Sequence, residues 1–121
     1  PLIRNAIKEG RAAMDKIADR IQTDGRVAGA DYDVVIIGIG PGGISATARA
    51  AERGLTYVAL EQGRKYSTIA DKYPAGKYVA FNPYNPGDPE LGAVKLEGPG
   101  DLKEKMLAWW DESVERLGLK I

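Results

Sequence analysis

The sequence predicts an α/β fold organised around a strand, a glycine turn, a helix and a second strand, and three observations carry that expectation. Tyr32-Asp33-Val34-Val35-Ile36-Ile37 is a β-branched, apolar run of strand length. Gly38-Ile39-Gly40-Pro41-Gly42-Gly43 follows at once and opens an Ala-rich helical stretch, Ile44 to Arg53. Thr56-Tyr57-Val58-Ala59-Leu60 then reads as another strand, closed by Glu61. A crossover through one short helix makes the two strands parallel neighbours.

Ahead of this unit, Ile3, Ile7, Gly10, Met14, Ile17 and Ile21 recur in alternating steps of four and three, which is one stripe of a helix of about five turns. Lys8, Glu9, Arg11, Asp15, Lys16, Asp19 and Arg20 fill the opposite face, and Gly25 suits a left-handed stop. The stripe must be covered, so residues 1–24 read as an added amphipathic helix docked on its own domain or closing an upstream module. A Gly at a core position makes a coiled-coil seam weak. Residues 25–31, with two Gly and two Ala, read as a linker, and 32–121 as the main domain.

Within that domain the first strand is expected to be buried on both faces, as in a parallel sheet. Gly54 ends the helix. Residues 62–100 form a long Pro/Gly/Tyr-rich loop with room for short extended pieces at Tyr78 to Phe81 and Ala93 to Leu96. Asp101-Leu102-Lys103-Glu104 reads as a capping box that starts a helix at 101. Leu102, Met106, Trp109, Trp110, Ser113, Val114 and Leu117 lie near one face of it, Gly118 stops it, and Leu119-Lys120-Ile121 begins another strand.

Composition narrows the function classes. The chain has 121 residues, room for one small core, and its 17 basic and 17 acidic side chains cancel. Without a basic excess there is no electrostatic case for nucleic acid. The longest apolar run, Met106 to Trp110, is far short of the roughly 20 residues that span a bilayer. No signal pattern opens the chain, so the cytoplasm is the expected location. Cys and His are both absent, which excludes thiol chemistry, imidazole acid–base catalysis and any His/Cys metal site within these residues. Redox chemistry would have to come from a bound cofactor. Pro1 in place of Met suggests a processed chain or an excised piece.

The glycine turn is the strongest chemical signal. Gly38 permits a tight turn out of the strand, Gly40 lets a diphosphate approach the backbone, and Gly43 lets the helix pack closely on the sheet. Amide groups at the helix start, at the positive end of its dipole, then face phosphate oxygens without help from Lys or Arg. Glu61 stands eighteen residues past Gly43, where a carboxylate accepts both ribose hydroxyls of an adenosine and repels a 2′-phosphate. FAD and NAD are therefore favoured over NADP. The candidate cofactor contacts are Gly38, Gly40, Pro41, Gly42, Gly43, Glu61, its neighbour Gln62, and Arg64, which is placed to meet a phosphate or to stand as a solvated loop charge. No residue stands out as catalytic or as a metal ligand.

The run from Asp33 to Ala46, with Arg53-Gly54-Leu55 and Val58-Ala59-Leu60-Glu61, resembles the amino-terminal FAD-binding segment of thioredoxin-reductase-like flavoproteins, the pyridine nucleotide-disulfide oxidoreductase superfamily. The Gly-x-Gly-Pro-x-Gly form and the Ile44-Ser45-Ala46 helix start carry the likeness, which is strong over about residues 32 to 61. Thr47 departs from the Ala usual there. The resemblance implies a Rossmann-like βαβ unit of about three parallel strands, with Leu119 to Ile121 as the third, in a fragment of a larger flavoprotein. It implies FAD as cofactor and electrons from a reduced pyridine nucleotide, with the remaining flavoprotein domains as partners. Leu2 to Ala13 is similar to a helix near the carboxyl end of such proteins, although here it precedes the fingerprint. The Cys pair of disulfide-reducing members is absent, so whether this chain is itself an enzyme stays open. An NAD-binding module, and a non-catalytic interaction or assembly domain with an empty fingerprint, are the alternatives, and a homo-oligomer is a further partner the sequence allows.

Overall fold

In a computed structural model, the structure describes residues 2–26, 28–63, 65, 66, 75, 76, 78–80 and 100–121. The order is α1 (Leu2–Asp24), β1 (Val34–Ile37), α2 (Pro41–Glu52), β2 (Tyr57–Leu60), β3 (Tyr78–Ala80), β4 (Gly100–Leu102) and α3 (Lys103–Arg116). β1 and β2 pair in parallel with Val34 opposite Tyr57 and Ile37 opposite Leu60, the expected βαβ arrangement. Asp33 and Thr56 latch the start of this pair. The Asp33 N–H donates to the Thr56 hydroxyl at 2.9 Å and the Thr56 N–H to the Asp33 carboxylate at 2.8 Å.

α1 ends as its sequence predicts, with Gly25 at φ +84° and its N–H on the Ile21 carbonyl at 2.7 Å. Its stripe is buried at Ile3, Ile7 and Met14 and half-buried at Ile17 and Ile21. What covers it is α2, which in turn rests on β1 and β2. The crossing is close because two glycines meet. A Cβ on Gly10 would run into the Gly42 carbonyl, and one on Gly42 would come within 3.4 Å of the Ala6 carbonyl oxygen. Beside them the Ser45 hydroxyl, buried in α2, donates to the Ile7 carbonyl at 2.6 Å. Thr47 is fully buried and keeps its hydroxyl satisfied by donating to the Gly43 carbonyl at 2.7 Å.

Farther along the crossing, the Asp15 carboxylate of α1 accepts from Arg49 Nε at 2.6 Å and from an Arg53 guanidinium nitrogen at 2.8 Å, while Arg53 also reaches Asp19 at 2.8 Å. Burial alone would raise the Asp15 pKa, but the bonds from Arg49 and Arg53 outweigh it and the net shift is downward. A depressed folded-state pKa means that this stabilisation is complete above the unfolded value of about 4 and is lost as pH falls through the folded value. Asp15→Asn should therefore lower stability by about 1 kcal/mol at neutral pH and reduce the acid dependence of unfolding. Denaturant melts at pH 7 and pH 3 measure both effects.

Three expectations are corrected. First, β1 is not covered on both faces: Ile36 is buried, but Val35 is 53% and Ile37 83% exposed, because α1 packs on α2 and not on the second face of the sheet. Second, the sheet has two parallel strands among the described residues, not three. Leu119 to Ile121 is not a strand. Leu119 is buried and the Lys120 N–H donates to the Tyr57 hydroxyl at 3.0 Å, so side-chain anchoring replaces a ladder there. Third, the helix expected to start at 101 starts two residues later. Asp101 pairs with Val79 in an antiparallel sheet of β3 and β4, α3 starts at Lys103, and Glu104 accepts instead from the Gly76 N–H at 3.1 Å. The extended piece expected at Tyr78 is present as β3; that at Ala93 to Leu96 lies outside the described residues.

Of the expected apolar face of α3, Met106, Trp110 and Ser113 are buried and Val114 and Leu117 half-buried against the core, while Leu107 packs there in place of the expected Trp109. Gly118, at φ +63°, ends it. No helix among the described residues is long and apolar enough to cross a membrane.

Candidate dinucleotide site

The site grows from the end of β1. Gly38 has φ +91°, a conformation that L side chains rarely adopt, and its N–H donates to the Leu60 carbonyl at 2.9 Å. The chain thereby leaves the ladder sharply and enters α2 three residues later. Gly40 is the N-cap in an extended conformation (φ −95°, ψ −162°), and Pro41 opens the helix, where its fixed φ fits and its missing N–H costs nothing. The first intrahelical bond runs from the Ile44 N–H to the Gly40 carbonyl at 2.9 Å.

That geometry decides which amides face outward. A helix leaves its first N–H groups without intrahelical partners, and with Pro41 carrying none, those groups belong to Gly40, Gly42 and Gly43. No side chain caps the helix. A Cβ on Gly40 would meet nothing within 4 Å among the described residues, so it has room on that side. Gly43 is required for another reason, since a Cβ there would run into the Gly38 carbonyl. An uncapped helix start with three glycine amides and room beside them is what a diphosphate needs. The residues present therefore fit the dinucleotide that the turn implies.

Glu61 stands over the same turn. Its Oε1 accepts from the Ile39 N–H at 2.9 Å and its Oε2 from the Gly63 N–H at 3.0 Å. These bonds, that from Gly63 foremost and a lesser one from the Gln62 N–H, hold the Glu61 pKa below the ordinary glutamate value. A carboxylate offers about four lone-pair positions, so with three amides bonded to it Glu61 keeps capacity for about one further donor, such as a ribose hydroxyl. The carboxylate thus has a duty that its spacing did not reveal: it ties the end of β2 to the turn after β1.

Of the residues expected to contact a cofactor, the structure brings Gly38, Gly40, Pro41, Gly42, Gly43 and Glu61 around one turn. Gln62 follows Glu61 with its side chain exposed. Arg64 lies outside the described residues. Gly42 has a second role in the close crossing with Gly10. Sequence reasoning missed Tyr66, whose N–H donates to the Ile39 carbonyl at 2.7 Å, because nothing in its neighbourhood signals that reach. No group of His, Cys, Asp and Glu that could hold a metal ion occurs among the described residues.

Comparison with known proteins agrees with this geometry. No solved structure matches the chain. The sequence model of one protein family, described as an FAD binding domain, matches residues 33–78, a stretch that begins at β1 and contains the turn, α2 and Glu61. That match supports an FAD-binding domain of the oxidoreductase type and points to FAD as the cofactor.

Proposed function

We propose that this chain is the ADP-moiety-binding part of an FAD-dependent oxidoreductase of the thioredoxin-reductase-like kind, which moves electrons from a reduced pyridine nucleotide to an acceptor. The observation that carries the reading is the uncapped start of α2, where the amides of Gly40, Gly42 and Gly43 have no intrahelical partner, Gly40 has room beside it among the described residues, and the Glu61 carboxylate is bonded to the neighbouring Ile39 N–H. FAD, when bound, supplies the electron-carrying ring system that side chains lack. The chain's own part is binding: the amides of Gly40, Gly42 and Gly43 would hold the diphosphate, and Glu61 a ribose hydroxyl. The residues also admit NAD on physical grounds, and the match to FAD binding domains favours FAD.

Titration of the purified chain with FAD, followed in the visible flavin bands, tests the reading. Saturable binding is expected, and Glu61→Ala should weaken it by about tenfold, since it removes an acceptor for the ribose and frees the Ile39 N–H at once. Because the Glu61 pKa is depressed, its support of the turn is complete above the ordinary glutamate range and fades as pH falls through the lower folded value. FAD affinity should therefore hold through the ordinary glutamate range and decline only below it. NAD bound in preference to FAD would replace the cofactor in this reading, and no binding of either would remove it.

A further inference from the structure

The peptide unit at Ile39, in the middle of the glycine turn, is held on both sides. Its N–H goes to Glu61, and its carbonyl accepts from the Tyr66 N–H at 2.7 Å. Tyr66 reaches it only by taking φ +59°, the one positive φ of a non-glycine residue among the described residues. A tyrosine there is strained, and such strain persists where surrounding contacts over-determine it. The contacts are visible. The Tyr66 ring is 3% exposed and meets the Trp110 ring edge-on, with centroids 5.2 Å apart and planes at 61°. Trp110 is itself 1% exposed, on α3. The Tyr66 hydroxyl forms no hydrogen bond of good geometry among the described residues, although burial and the nearby Asp111 carboxylate of α3 push its pKa up, so the packing of the ring is what seats this residue.

We propose that Tyr66 is a positioning residue for the diphosphate site: Trp110 pins its ring, its backbone N–H fixes the Ile39 peptide, and the turn is thereby set before a nucleotide arrives. The inference rests on the reading of that turn as a dinucleotide site. It couples α3 to the turn through the Tyr66–Trp110 ring contact, beside the Lys65–Asp111 ion pair at 3.3 Å. A turn fixed in advance loses less freedom on binding, so its loosening should appear in affinity.

ADP and AMP separate this role from general stability, because they differ by the phosphate that the turn would seat. Both are titrated calorimetrically into the wild-type chain, Tyr66→Phe and Tyr66→Gly, with circular dichroism to establish the folded fraction. The wild type and Tyr66→Phe should share one ADP-to-AMP affinity ratio. Tyr66→Gly keeps the N–H and accepts the φ but loses the ring, and its ratio should fall by about tenfold. An unchanged ratio in folded Tyr66→Gly overturns the proposal while leaving the site reading intact. If Tyr66→Gly does not fold, Trp110→Phe takes its place: a reduced ratio supports the proposal and an unchanged one overturns it. A wild type that binds neither nucleotide removes the site reading and the proposal together.

Discussion

Gly10→Ala should destabilise the protein by a net of about 2 kcal/mol or more, although alanine is the better helix former. In an isolated helix the change would stabilise by about 1 kcal/mol, since glycine carries more backbone entropy into the helix. Here the new Cβ would meet the Gly42 carbonyl, and both partners are backbone that no rotamer change can move aside. Overpacking of that kind costs about 1–3 kcal/mol and occasionally more, and a backbone clash belongs at the upper end. A thermal melt should fall by roughly 8 °C. The sign is informative. If α1 belonged to an upstream module and merely lay near α2, Gly10→Ala would raise the melting temperature. Because α2 begins at the glycine turn, FAD affinity should fall with it.

Gly40→Asp should behave oppositely, with affinity lost and stability kept. The N-cap has an extended conformation open to any residue, and a Cβ there meets nothing within 4 Å. Aspartate is also a favoured N-cap, worth a few tenths of a kcal/mol over glycine. The same carboxylate would occupy the space beside the Gly42 and Gly43 amides and satisfy them itself. A diphosphate would then meet a like charge where it needs donors, a juxtaposition that costs several kcal/mol. FAD binding should weaken by roughly a hundredfold or more. The substitution separates binding from folding because, among the described residues, nothing packs where the new side chain would start.

The strand–turn–helix–strand order was legible because each step depends on local properties: β-branched residues in β1, positive φ at Gly38, proline at the first helical position. Glu61 was legible as a carboxylate at the end of β2, but not as the acceptor for Ile39, since that bond depends on how two strand ends face each other. Gly10 and Gly42 illustrate the same limit. Each fits a helical pattern, and their meeting exists only once α1 crosses α2. Tyr66 carried no signal, because a positive φ at tyrosine is imposed by its surroundings. At Asp101 a local rule misled: the residues suit a helix cap, yet pairing with β3 takes the backbone first. The expected two-sided burial of β1 failed for a related reason, as an apolar run reports what a strand tolerates and not which helices cover it.

The measurement that bears most directly on the site is calorimetric titration of FAD into the wild-type chain and Gly40→Asp, paired with thermal melts of both. The geometry predicts saturable binding by the wild type, its loss in Gly40→Asp, and melting temperatures that agree or favour the variant. Equal binding by the two proteins would contradict it, since the diphosphate could not then lie on the amides at the start of α2.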